Sequence, residues 1–198
     1  WLYGFTGICL GVLLNPFIAL WIGADYLLPN WTVFIIIVNY YTAGVQYAST
    51  TYREVTGLFK VGKYRPLIAA IINLVVSIIL AYPLGISGIL LGTIISRLCV
   101  YFWYDPYIIH KTLFGRKLKY YFATYALYGM STLGVGVLCF VISNNTPIQN
   151  QDLTFLANIV LCAVLPNALF FLLFRRREEF RIILRYMNAI SKKIIRKN

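Results

Sequence analysis

Acidic residues are scarce in this sequence. Only Asp25, Glu54, Asp105, Asp152, Glu178 and Glu179 occur among its 198 residues. None stands in the middle of an apolar segment, so no carboxylate relay for sodium ions or protons is visible. His110 is the single histidine, which argues against histidine-based catalysis or metal binding. The four cysteines, Cys9, Cys99, Cys139 and Cys162, all fall within apolar segments and none in a connection. That placement shows no disulfide framework or metal spacing. The cysteines are expected to behave as small buried hydrophobes, and no cofactor is expected. Charged residues make up 12% of the chain, against about 25% in soluble domains. With 60% hydrophobic residues and a mean hydropathy of +0.74, this is not the composition of a soluble globular domain.

What charge there is carries one sign and is clustered. The formal net charge is +12, and seventeen of the 18 Lys and Arg residues lie in three stretches. These are Arg53, Lys60, Lys63 and Arg65; then Lys111, Arg116, Lys117 and Lys119; then the nine basic residues of the tail 175–198. Long apolar runs separate them. A bilayer is crossed by about 20 apolar residues in a helix, and the runs are of that length. The positive charge is therefore read as membrane orientation and contact with anionic lipid headgroups, not as a nucleic-acid surface.

Six spanning segments are expected, near 1–23, 31–51, 66–82, 86–104, 118–142 and 153–174. They should be helices, because backbone polar groups in lipid must be paired internally. Their apolar runs are continuous rather than alternating, which excludes an outer-membrane barrel. The connections 24–30, 83–85 and 143–152 contain no Lys or Arg, while the other two connections and the tail hold seventeen. The positive-inside rule then places residue 1, both basic loops and the tail in the cytoplasm. Trp21, Tyr26, Trp31, Trp103, Tyr104, Tyr107, Tyr120 and Tyr121 cluster at the expected span ends, as interfacial anchors do. In the tail, Phe180, Ile183, Leu184, Met187, Ile190 and Ile194 keep helical spacing, with Arg181, Arg185, Lys192 and Lys193 off that stripe. This predicts an amphipathic basic helix on the inner leaflet. The sequence opens directly in apolar residues, with neither a basic leader nor a small-residue cleavage site. The expectation is that it forms the C-terminal part of a longer protein.

Arg97 is the exception to the charge clustering, about halfway along the fourth span. A guanidinium at the bilayer centre costs roughly 2.5–3.5 kcal/mol on insertion scales. If the helix stops at Asp105-Pro106, as the pre-proline restriction favours, Arg97 lies about 10 Å deep and can snorkel. If the helix continues to Ile109, Arg97 lies about 18 Å deep and snorkelling fails. Other polar groups in the spans are uncharged. Asn39 and Gln46, seven residues apart, share a helix face, and Asn73 lies in the third span. Arg97, Asn39, Gln46 and Asn73 are the candidate substrate-binding residues. Two spans contain proline, at Asn15-Pro16 and Pro166-Asn167, so Pro16 and Pro166 are candidate kinks or hinges. The adjacent asparagines are expected to satisfy the freed backbone groups. Gly4, Gly7 and Gly11, and likewise Gly129, Gly134 and Gly136, are expected on close-packing faces. No catalytic residue set is visible.

The order of residues resembles a known family. Trp21-Ile-Gly-Ala-Asp-Tyr-Leu-Leu-Pro closes one span. Tyr52-Arg-Glu-Val-Thr-Gly-Leu-Phe-Lys-Val-Gly-Lys-Tyr-Arg-Pro-Leu, Asn73-Leu-Val-Val-Ser-Ile-Ile-Leu and Leu84-Gly-Ile-Ser-Gly-Ile-Leu-Leu-Gly-Thr-Ile-Ile-Ser-Arg follow in turn. Over residues 21–104 this resembles the C-terminal lobe of bacterial polysaccharide flippases, which belong to the multidrug/oligosaccharidyl-lipid/polysaccharide exporter superfamily. The resemblance implies an all-α polytopic protein whose six helices form one lobe of a two-lobe transporter, partnered by an N-terminal lobe of the same protein. It implies a non-enzymatic role in the cytoplasmic membrane, moving undecaprenyl-pyrophosphate-linked oligosaccharide for O-antigen or capsule synthesis. Arg97 would then supply cavity charge for the pyrophosphate. Two other readings stand beside it: a membrane polymerase or ligase of the same lipid-linked glycan, and a non-transporting scaffold. The longest outer connection, 143–152, has one acid and no base or histidine, which gives the enzyme reading little to work with.

Overall fold

The computed structural model describes residues 1–58, 62–114, 118–145 and 150–195, with side chains to Tyr186 except that of Phe114. Lys60, Arg116, Lys117, Arg196 and Lys197 lie outside the described residues, as do the side chains of Met187, Ile190, Lys192, Lys193 and Ile194. Among the described residues all regular structure is helical: α1 (Leu2–Trp21), α2 (Asn30–Val55), α3 (Arg65–Leu84), α4 (Ile86–Ile109), α5 (Leu118–Asn144), α6 (Gln151–Phe174) and α7 (Glu178–Ile195). A short 3-10 turn, Ala24–Tyr26, follows α1, and a π-helical turn, His110–Phe114, continues α4. Five helices are long and apolar enough to cross a membrane: Leu2–Trp21, Arg65–Leu84, Ile86–Leu113, Leu118–Asn144 and Gln151–Phe174. The chain is an all-α, multi-pass membrane protein.

Two kinds of packing hold the bundle. Helices α1, α5 and α6 meet in an apolar core of Ile8, Val12, Val135, Cys139, Cys162 and Phe170. With no water to expel between helices in lipid, such a core is held by close van der Waals contact. Glycines allow that closeness: Gly4 faces Thr132 and Phe170, and Gly7 and Gly11 face Ile37 of α2. Helices α2, α3 and α4 are joined instead by polar stitches. Thr32 and Ser87 share a hydrogen bond of 2.8 Å, Asn73 donates to Thr93 Oγ1 at 3.0 Å, and Ser77 donates to the Ile89 carbonyl at 3.2 Å. Interhelical bonds of this type contribute about 0.6 kcal/mol each on average, so they fix register more than stability.

Helix α2 runs parallel to α4 along its length. Thr32 meets Ser87, Asn39 and Thr42 meet Arg97, and Thr50 and Arg53 meet Asp105. Helix α3 folds back on α4 through Gly85 alone, which adopts φ +56, a region open to glycine. The rest of α3 is largely exposed, with Leu67, Ile71, Leu74, Val75, Ile78 and Ile79 facing outward, as a lipid-facing helix requires. The third span therefore ends at Leu84 rather than at residue 82, with Pro83 inside its last turn.

Several expectations need correction. Asp105-Pro106 does not end the fourth helix, which runs on to Ile109 and through the π turn. The pre-proline restriction is overridden by tertiary contacts. Asp105 is 0% exposed and pairs with Arg53 at 3.3 Å and with Arg65, while Thr50 donates to its other oxygen at 3.1 Å. Neither proline-neighbouring asparagine reaches the carbonyl its proline leaves free. Asn15 clamps Leu28, donating to its carbonyl at 2.8 Å and accepting from its N–H at 3.1 Å. Asn167 donates to Ala163 and accepts from the Trp1 indole at 2.8 Å. Both helices continue through their prolines, and Pro166 is buried. Gly129 and Gly134 face open space, so they pack nothing. Gly44, Gly88 and Gly92 are the additional close-packing glycines: a Cβ would overlap Tyr3 at Gly44, the Leu80 backbone at Gly88 and Ser77 at Gly92. Cys99 is exposed, unlike the buried Cys139 and Cys162.

Candidate functional site

Arg97 sits twelve residues before Ile109 on one continuous helix, a rise of about 18 Å. Its guanidinium does not snorkel toward a helix end. It turns sideways onto α2, where Nη1 donates to the Asn39 carbonyl at 2.9 Å, to Asn39 Oδ1 at 2.6 Å and to Thr42 Oγ1 at 3.0 Å. All three acceptors are neutral. No carboxylate among the described residues lies within ion-pairing distance of it, whereas Arg53 and Arg65 both pair with Asp105. The three bonds use one nitrogen, and Nε and Nη2 make no hydrogen bond among the described residues. Those two donors form the fork that binds carboxylate or phosphate in bidentate fashion.

A cavity of about 10 Å³ adjoins Arg97, lined by Thr42, Gln46, Ser49, Tyr101, Tyr121 and Tyr125 among others. That is room for about one water molecule. Gln46 Oε1 is buried there without a hydrogen-bond partner. Ser49 and Tyr121 close one side, their hydroxyls 3.0 Å apart. The seven-residue spacing of Asn39 and Gln46 thus brings both to Arg97's side of α2, the first as a direct partner and the second across the cavity. Asn73 belongs elsewhere: it bonds Thr93 and joins α3 to α4. Pro16 and Pro166 lie in α1 and α6, outside the cavity lining.

The residues around Arg97 that spacing alone did not single out are Thr42, Tyr121 and Tyr125. Thr42 was in principle legible, three residues after Asn39 on the same face. The tyrosines of α5 carry no pattern that distinguishes a cavity wall from an interfacial belt. The second unforeseen feature is the Arg53–Asp105–Arg65 cluster. Arg65 lies over the rings of Tyr101 and Tyr104, at 5.2 and 5.1 Å, so Tyr104 contributes a cation–π contact there. One carboxylate among two guanidiniums ties the neighbouring ends of α2, α3 and α4 together. Among the described residues no group of three or more metal-ligating side chains occurs. No protein-family model, curated protein or solved structure matches the chain.

Proposed function

We propose that this chain is one lobe of a transporter that flips lipid-linked oligosaccharide repeat units across the bacterial cytoplasmic membrane, with α1 to α6 as six spans. The observation that carries the reading is Arg97: a guanidinium deep in a spanning helix, held by neutral partners only, with two donors left over. Such a charge costs several kcal/mol to bury, and an internal structural role would be served better by a paired carboxylate. An anionic group passing through, such as a pyrophosphate, supplies the missing counter-charge. The sixth span is α2, the most polar of the set. Its register along α4 from Thr32 to Arg53 supports a crossing of the same thickness. The alternation of basic and base-free connections supports a cytoplasmic residue 1 and tail, and the resemblance over residues 21–104 supports the substrate class.

In the conformation described, the space beside Arg97 holds about one water. Substrate contact therefore requires the wall formed by Tyr121 and Tyr125 of α5 to move away from α2 and α4, as it would in an alternating cycle. The function is tested by complementation: the full-length gene, expressed in a strain lacking its repeat-unit flippase, restores surface polysaccharide. Normal membrane abundance without surface polysaccharide, across strains with different repeat units, contradicts the reading.

A further inference from the structure

The cavity beside Arg97 gathers polar groups that do not satisfy one another. Gln46 Oε1, on α2, is a buried acceptor without a donor. Arg97, on α4, keeps Nε and Nη2 as donors without acceptors among the described residues. Tyr125, on α5, lies within electrostatic reach of Arg97. It meets the rings of Phe102 and Tyr121, but its hydroxyl makes no hydrogen bond among the described residues. All three side chains line a space of about 10 Å³, room for about one water molecule. A buried acceptor left alone is costly, and in lipid there is no bulk solvent for it to turn to. Turning the Gln46 amide over does not cure the mismatch. Nε2 would then stand as a lone donor facing the same cavity as the guanidinium.

We infer that this cavity is a binding site for one ordered water, which accepts from Arg97, donates to Gln46 Oε1 and makes its remaining bond with the Tyr125 hydroxyl. Water is the ligand whose chemistry fits every wall. It donates and accepts at once, and a buried water typically makes about three hydrogen bonds to groups otherwise unsatisfied. A small inorganic anion such as chloride would answer the guanidinium's charge but offers Gln46 Oε1 no hydrogen. A metal or ammonium cation would answer Gln46 Oε1 but meets the like charge of Arg97. The site also joins helices that direct bonds leave apart. Arg97's own three bonds all go to α2, so the water is its link to α5. Two direct contacts hold α5 close enough for that bridge: Ser49 with Tyr121 at 3.0 Å, and the Phe102 ring with Tyr125 at 5.0 Å. The inference rests on side-chain geometry and not on the transport reading.

The test is a crystal structure of the full-length protein, grown with sodium bromide and without substrate, at a resolution that places waters. The expected map holds one spherical peak within about 3.2 Å of both Gln46 Oε1 and an Arg97 nitrogen, with no anomalous signal from bromide. A bromide signal at that point overturns the inference in favour of an anion. Ordered Gln46 and Arg97 side chains with no peak between them overturn it outright. Gln46→Leu removes the acceptor at similar size, and the peak should be lost from its map; a peak of unchanged height there would contradict the bridge. Should Gln46→Leu fail to fold, the map of the unaltered protein decides the question alone. No substrate enters either crystal, so failed complementation would remove the transport reading and leave this site standing.

Discussion

Asp105 shows how much one residue can reorganise a helix end. It is fully buried between two guanidiniums that are themselves 7% and 5% exposed. Breaking such a cluster leaves uncompensated charge in a poorly solvated place, whereas replacing the whole cluster with apolar residues is often neutral. Asp105→Asn should therefore destabilise the protein by about 3–5 kcal/mol, read as a lowered midpoint of thermal unfolding in detergent. The triple variant Arg53→Met, Asp105→Leu, Arg65→Met should recover most of that loss. Recovery by the triple variant identifies an electrostatic penalty, while continued instability would mean that the cluster's shape matters more than its charge. Arg97 contrasts with these arginines, because its partners are neutral and its removal leaves no buried ion behind. Arg97→Gln should accordingly shift the unfolding midpoint far less than Asp105→Asn does.

At the scale of elements, the α3–α4 hairpin is the tightest joint, and two glycines make it possible. Gly92→Ala would push a methyl group into Ser77 of α3 and should cost about 1–3 kcal/mol. Gly134→Ala meets nothing within 4 Å and should gain up to about 1 kcal/mol from better helix propensity. Comparing the two unfolding midpoints checks the packing; equal effects would mean that α3 does not approach α4 as closely as described. The same elements show what the sequence made legible. Apolar runs located α1, α3, α5 and α6 to within a few residues, since continuous hydrophobicity over a bilayer's thickness is a strong local signal. The Asn39, Gln46 and Arg97 neighbourhood was half legible: seven-residue spacing put two of them on one face, but nothing local says which helix faces which. Asp105-Pro106 was misleading because the local backbone preference at a proline is weaker than a buried ion cluster assembled from residues 40 to 55 positions away. The glycines of α5 were misleading for a related reason. A small residue permits close approach but does not supply the neighbour.

At the scale of the whole molecule, an apolar bundle of α1, α5 and α6 adjoins a polar-stitched group of α2, α3 and α4, and the cavity beside Arg97 is walled by α2 and α4 on one side and by Tyr121 and Tyr125 of α5 on the other. The orientation proposed for the bundle makes a direct prediction. With the native cysteines replaced by alanine, Asn145→Cys should label with an impermeant thiol reagent from outside intact cells, and Tyr186→Cys only after lysis; the opposite pattern inverts the topology. The central claim is that Arg97 is present for the substrate's charge. It is tested most directly by reconstituting the full-length protein in proteoliposomes and timing translocation of a fluorescent polyprenyl-pyrophosphate-linked oligosaccharide. Arg97→Gln, with unfolding midpoint and reconstituted amount matched to the unaltered protein, should slow translocation at least tenfold, the equivalent of one lost charge-assisted contact. Translocation by Arg97→Gln at the unaltered rate would contradict it.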